Sequence, residues 1–298
     1  MHRHRHLYIL LLPTLVYLIL FRYLPIYGVS LAFKKFHYMK GITASPWVGW
    51  ANFEAILSKE DFWRAFGNTL VIALYRLVLE FPIPIVLALM LNELRNRYLK
   101  TTLQTVFTFP HFLSWVIISG MLFNLLGESG PFNRLVMSFG GEMNVLSNAD
   151  SFRYFLTITN NWKEMGWNTI IYLAALSGVD PALYEAAQID GAGRWHKVRY
   201  IDWPGIRPTA VILLIIFIGN AMTSGSGGFN QIFNLYNPAV YSTGDIIDTY
   251  IYRQAFSTGM PFGEVTAIGL FKSVINFVLI LSANKLASWM SDGERGLF

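Results

Sequence analysis

The chain has 298 residues, of which 54% are hydrophobic and only 14% charged, whereas a soluble domain carries about 25% charged residues. Its apolar residues fall in long runs, which excludes an ordinary soluble fold. The absence of cysteine excludes disulfides, thiol catalysis and thiolate metal sites. The formal net charge of +5 is what basic inner loops give a membrane protein, so no nucleic-acid partner is expected.

From the N-terminus, MHRHRH precedes LYILLLPTLVYLIL, and the apolar stretch continues to Phe33 past Arg22 and Pro25. A secretory signal has an apolar core of only about 7–15 residues and then a small-residue cleavage site, so this stretch reads as an uncleaved first span. His2, His4 and His6 read as a solvated tail facing lipid headgroups. Six segments carry the roughly 20 apolar residues that a bilayer-crossing helix needs, at about 7–33, 66–91, 102–126, 152–177, 206–225 and 262–284. The expected fold is therefore an all-α membrane protein, with one transmembrane domain over residues 1–298.

In the second span Arg76 and Glu80 share one helix face. They read either as an internally neutralised pair or as groups lining a passage. Pro82 and Pro84 must disturb the hydrogen-bond ladder of the same span. The fourth span is the most polar and contains Asn160, Asn161, Trp162, Lys163, Glu164 and Trp167. Amides, charges and flat aromatic faces suit a sugar path, although Trp and Lys also anchor helices at the interface. Asn220, Ser224 and Ser226, beside Gly225, Gly227 and Gly228, end the fifth span and read as pathway groups or as a satisfied helix end.

Basic residues set the orientation. With both termini inside, the inner segments 1–6, 92–101, 178–207 and 285–298 hold about 11 Lys/Arg. The longer outer segments 34–65, 127–151 and 226–261 hold about 7, with Lys34-Lys35 as the main dissent. Both termini are expected in the cytoplasm.

The inner segment 178–207 reads GVDPALYEAAQIDGAGRWHKVRYIDWPGIR. Asp180 is a good N-cap and Pro181 suits the first helical position. Gly191 is a natural stop, and a second helical piece is expected from Arg194 to Ile201, before Pro204 breaks the chain. Glu185-Ala186-Ala187, three residues, Gly191, nine residues, Ile201, one residue, then Trp203-Pro204 resembles the EAA loop of binding-protein-dependent ATP-binding cassette (ABC) importer permeases. Trp203 stands where that pattern has Leu. RLVLEFPIPIVLALMLNELRN, FTFPHFLSWVIISG, FNQIFNLYNPAVYSTGDIIDTYIYR and the tail GERGLF extend the likeness to the carbohydrate-uptake permeases of the polysaccharide and oligosaccharide subgroup.

The resemblance implies a type I importer permease architecture in the bacterial cytoplasmic membrane, with a coupling helix in loop 178–207. It implies that Glu185, Ala186, Ala187, Asp190, Gly191, Ile201 and Pro204 engage an ATPase. Arg76, Glu80, Asn161, Trp162, Lys163, Trp167 and Asn220 are the candidate substrate pathway. Implied partners are a second, homologous permease, two ATPase subunits, an extracytoplasmic solute-binding protein, an oligosaccharide and membrane lipid. No G-x-x-x-x-G-K-[ST] phosphate loop occurs, so ATP and Mg belong to the partner subunits, and no cofactor or metal is expected here. A secondary transporter would explain the intramembrane charges but not the EAA spacing. A non-carbohydrate solute is the other alternative.

Overall fold

The computed structural model describes residues 5–141, 144–223 and 228–290. His2, His4, Ser224, Gly225, Ser226, Gly227 and the tail GERGLF lie outside the described residues. Among the described residues there is no strand, only an isolated bridge between Lys34 and Trp47. The principal helices are α1 (Arg5–Leu18), α2 (Ala51–Leu57), α3 (Glu60–Leu79), α4 (Pro82–Asn92), α5 (Arg97–Thr108), α6 (Trp115–Leu126), α7 (Pro131–Ser138), α8 (Ala149–Ser177), α9 (Pro181–Ile189), α10 (Trp203–Gly219), α11 (Gly228–Leu235), α12 (Ile247–Phe256) and α13 (Phe262–Met290). The chain divides into two compact units, residues 1–63 with 250–274, and residues 64–249 with 275–298.

In the first unit, α1 runs through a π turn, Ile19–Tyr23, into a 3-10 helix, Leu24–Phe33. Pro25 explains the change of pitch, because its ring clashes with the preceding turn and it brings no N–H to the ladder. Lys34 ends the helix and is only 3% exposed. Its ammonium donates to the Ile42 and Thr43 carbonyls at 2.8 and 3.2 Å and lies 4.9 Å from the Trp47 ring. This lysine closes a loop, which accounts for its dissent from the charge pattern. Asn52 ties the same turn down by donating to the Ala32 and Lys34 carbonyls at 2.9 and 3.1 Å.

In the second unit, α8 is the central element, with α4, α5 and α10 packed on it. Asn148 caps it by accepting from the Asp150 amide at 2.9 Å. The polarity of α8 has a spatial reason. Thr157, Thr159, Asn160, Lys163, Glu164 and Thr169 are all buried in protein, where polar groups of a membrane bundle belong. Gly166 lets the α5 backbone come close, since a Cβ there would run into Phe107 and Thr108. One apolar cluster gathers Ile85, Ala88, Tyr172, Leu176, Ile206 and Ala210, and another is built around Phe152, Phe155, Leu156 and Ile232.

Among the described residues four helices are long and apolar enough to cross a bilayer, namely Tyr8–Phe33, Glu60–Asn92, Arg194–Gly219 and Phe262–Lys285. A fifth crossing is counted if Arg97–Phe112 and Trp115–Ser138 form one broken span, bent by 98°. The bend falls inside the expected third span. Pro110 tightens the chain into a 3-10 turn, Leu113 is extended, and Ser114 caps a new helix by accepting from the Ile117 amide. In the second span the ladder is interrupted at Glu80–Phe81, where both amides donate to the Arg76 carbonyl and the helix restarts at Pro82.

Replacing Gly166 with Ala should lower the thermal midpoint of the detergent-solubilised protein through a forced backbone shift, at a cost of about 1–3 kcal/mol. Gly120→Ala, where a Cβ meets nothing within 4 Å, should leave the midpoint unchanged.

Candidate functional site

Two places concentrate chemistry, a cavity beside α8 and the elbow between α8 and α10. The cavity has a volume of about 180 Å³. Its walls are Glu80, Phe81 and Pro84 at the α3–α4 break, Asn161, Glu164, Asn168 and Tyr172 on α8, and Leu213, Ile216, Phe217 and Asn220 on α10. The α8 set recurs at three- and four-residue intervals and so forms one face of the helix. The lining combines two carboxylates and three amides with the rings of Phe81, Phe217 and Tyr172.

The charges around it are held in place. Arg76 Nε lies 3.4 Å from Glu80 Oε1, and an Arg76 Nη2 proton goes to Gln231 Oε1. Gln231 in turn donates to the Leu156 carbonyl at 2.7 Å and to Thr159 Oγ1 at 2.9 Å. Glu80 Oε2 accepts from Asn160 at 2.7 Å. A second cluster joins the bend after α5 to α8. His111 Nδ1 is 2.7 Å from Glu164 Oε2, while Lys163 Nζ donates to Glu164 Oε1 at 3.0 Å and to the His111 carbonyl at 2.7 Å. Trp167 stacks on the His111 ring with centroids 4.4 Å apart.

Of the pathway candidates, Glu80, Asn161 and Asn220 meet at this cavity. Arg76 and Lys163 are buried behind it, each turned to a carboxylate that lines the wall. Trp162 and Trp167 are half-exposed and do not line it. Glu164, Asn168 and Tyr172 were legible from the helical phase of Asn161. Gln231 and His111 carried no sequence signal, because tertiary contact alone brings them to their partners.

In the elbow, Asp180 caps α9 by accepting from the Ala182 amide at 2.9 Å. Gly191 has φ +71, and the Ala192 amide reaches back to the Ala187 carbonyl at 2.8 Å, a glycine-dependent helix closure. Glu185, Ala186 and Asp190 are exposed and Ala187 is partly covered. Leu183 and Ile189 are exposed as well, Ile189 at 87%. The chain resumes helix at Arg194, but Pro204 does not break it. The π turn Val198–Asp202, which contains the half-buried Ile201, shifts the ladder ahead of the proline, and the helix continues to Gly219.

A buried clasp holds the elbow. Asp202 is fully buried; its Oδ1 accepts from the Tyr184 hydroxyl of α9 and from Asn92 at the end of α4, the latter at 3.4 Å. Burial and then the Asp202 carboxylate push the Tyr184 hydroxyl above the usual tyrosine range, so it stays protonated and donating at physiological pH. Arg194 lies 3.7 Å from Glu93 on the exposed side. Among the described residues no group of three or more His, Asp or Glu is placed to hold a metal.

The family profile described as "Binding-protein-dependent transport system inner membrane component" matches residues 80–292. Protein LplB of Bacillus subtilis (strain 168) is 42% identical, over 99% of this chain and 92% of that protein. The polygalacturonan/rhamnogalacturonan transport system permease protein YteP of the same organism is 40% identical, over 99% and 91%. Among solved structures, a bacterial alginate ABC transporter in complex with an alginate pentasaccharide-bound periplasmic protein contains a chain that superposes with a TM-score of 0.89. The two chains are 36% identical, and the match covers 99% of this chain and 98% of that one.

Removing one member of the buried pair strands the other. Arg76→Leu should therefore destabilise by about 3–5 kcal/mol, and the Arg76→Leu/Glu80→Leu double variant by less than the sum of the singles. Thermal unfolding of the four proteins in detergent gives the cycle. Tyr184→Phe should cost about 1–3 kcal/mol, read as faster proteolysis of the elbow in the detergent-solubilised protein.

Proposed function

Because this chain belongs to the family of binding-protein-dependent transport system inner membrane components, we propose that its elbow couples an ATPase to the cavity beside α8. The chain is a permease subunit of an ABC importer and is not itself the ATP-hydrolysing enzyme. ATP and Mg are assigned to two separate ATPase subunits. A second, homologous permease completes the path, and an extracytoplasmic solute-binding protein delivers the solute. The fold is six-spanning, with α8 as the polar crossing and both termini cytoplasmic.

The observation that carries the coupling assignment is the glycine-hinged elbow. It offers Glu185 and a small Ala186–Ala187 surface beside the exposed Leu183 and Ile189. The small residues let another backbone approach, Glu185 supplies an acceptor for a charge-assisted hydrogen bond, and the apolar pair supplies area for docking. Asp190, Gly191, Ile201 and Pro204 set the bend and its return into α10.

The proposed cargo is an oligosaccharide or a polysaccharide fragment. YteP carries polygalacturonan and rhamnogalacturonan in its name, and the superposed transporter is one for alginate. The cavity chemistry supports neutral sugar units, since carboxylate and amide oxygens accept from sugar hydroxyls and the rings suit the apolar faces of pyranoses, whereas Glu80 and Glu164 disfavour a uronate unit. Glu80, Asn161 and Asn220, joined by Glu164, Asn168 and Tyr172, are the proposed pathway groups. Arg76 and Lys163 hold the two carboxylates, and Trp162 and Trp167 anchor and brace the helix.

Gly191→Pro cannot keep φ +71. In proteoliposomes carrying the complete importer it should reduce uptake at least about tenfold, and Glu185→Ala should lower uptake per ATP hydrolysed, with membrane insertion intact. Normal coupling in both variants would remove the elbow from the mechanism. Binding of an oligosaccharide panel to the cognate solute-binding protein tests the cargo, and preference for a peptide or an amino acid would reject a sugar.

A further inference from the structure

The fold of the second unit gathers basic residues that lie a hundred positions apart in the chain. Asn92 donates to Asp202 at 3.4 Å and Glu93 lies 3.7 Å from Arg194. The turn between α4 and α5 is thereby held against the segment that leads from the elbow into α10. The turn carries Arg95, Arg97 and Lys100, and the segment carries Lys197 and Arg199. The three arginines are exposed and the two lysines half-buried. Within the second unit Arg95, Arg97, Lys100 and Lys197 make no ion pair and no side-chain hydrogen bond. The carboxylates beside them are already engaged, Glu93 by Arg194 and the fully buried Asp202 by Tyr184.

The surroundings of these cations have the chemistry of a bilayer interface. Tyr98, Trp195 and Tyr200 are exposed among them, and the Arg199 guanidinium lies 5.9 Å over the Tyr200 ring. Basic groups interleaved with Trp and Tyr are what a headgroup layer selects. Away from its basic first turn, α5 keeps an exposed side that is apolar. Leu99 and Val106, seven residues apart, share one face, and Phe109 stands eleven residues after Tyr98 on another. Charge at the start of a helix and apolar side chains below it reproduce the profile of a phospholipid, head above tail. The face proposed for the ATPase is of another kind, acidic and small, on α9.

We infer that this basic collar, residues 95–100 with 194–200, binds the phosphate of an anionic phospholipid of the inner leaflet, with an acyl chain laid along α5. Two guanidinium forks match phosphate oxygens in bidentate contacts, and the lysines add point charges. Asn96 caps α5 by accepting the Leu99 amide, so Arg95 and Arg97 flank a fixed turn. Because Asn92 joins that turn to Asp202, the bound lipid also steadies the clasp behind the elbow.

The inference rests on the inner placement of the elbow proposed above, and the experiment separates the two. The full-length chain in detergent is exchanged against phosphatidylglycerol, phosphatidylcholine or inorganic phosphate, and retained molecules are counted by native mass spectrometry. Phosphatidylglycerol should be retained at least about tenfold better than phosphatidylcholine, and the Arg95→Gln/Arg97→Gln/Lys100→Gln variant should lose that preference. Lys35→Gln/Lys40→Gln, which removes exposed charge from a different loop, should keep it. If the triple variant does not fold, Arg95→Gln and Arg97→Gln replace it, each with an expected loss of at least about threefold. Equal retention of the two lipids, or an unchanged preference in the collar variants, overturns the site. Retention of inorganic phosphate as well as lipid overturns the acyl contact. Loss of co-purified ATPase subunits from the complete importer with lipid retention unchanged gives the collar to the ATPase instead. The chain has no cysteine, so Tyr98→Cys supplies a single thiol for a membrane-impermeant maleimide. Labelling only from the outer side overturns the inner placement, whereas the detergent measurement tests the lipid site by itself.

Discussion

A charged group in a membrane helix costs about 2.5–3.5 kcal/mol on insertion scales, and the second unit of this protein is arranged around meeting that cost. Arg76 is set against Glu80, and Lys163 against Glu164. Gln231, Asn160 and the His111 carbonyl each give these groups one further hydrogen bond. The pairs also aim the charges. Each cation is turned away from the cavity and each carboxylate lies along its wall, so the lining offers oxygen acceptors while the local sum of charge stays near zero. This pairing is why α8 tolerates a polarity that would disqualify a lipid-facing helix.

The elbow follows from local chemistry. An aspartate cap, a proline at the first helical position and a glycine with positive φ define α9 with little help from the rest of the fold. What local chemistry does not provide is attachment. That comes from the fully buried Asp202, which receives the Tyr184 hydroxyl and the Asn92 amide. The clasp joins α9, α4 and the start of the fifth apolar stretch, so the exposed face of α9 is backed by two other elements.

Much of this could be read from the residues in order. Helix content, the caps of the elbow, the glycine turn and the disturbance at Pro82 all come from short-range rules. The helical phase of α8 places Asn161 on the same face as Glu164, Asn168 and Tyr172. Reading failed where a pairing partner lies far away in sequence, as with Gln231 and Arg76 or His111 and Glu164. It failed also where a helix absorbs a proline. Pro204 reads as a break, yet a π turn lets the helix pass, and Pro110, embedded in an apolar run, reads as mid-span yet sits at a 98° bend. Lys34 misleads in the opposite way, as a buried loop-closing group that looks like a topology signal.

The unbroken helix from Arg194 to Gly219 is a mechanical object. Its first turns are clasped to the elbow, and its far end supplies Leu213, Ile216, Phe217 and Asn220 to the cavity wall. At 1.5 Å per residue it is a rod of about 39 Å, so one degree of tilt at one end moves the other by about 0.7 Å. The π turn Val198–Asp202 and Pro208 lie along it and are the places where it can bend. The cavity wall and the elbow are therefore joined by one helix, 194–219, with the π turn next to the clasp.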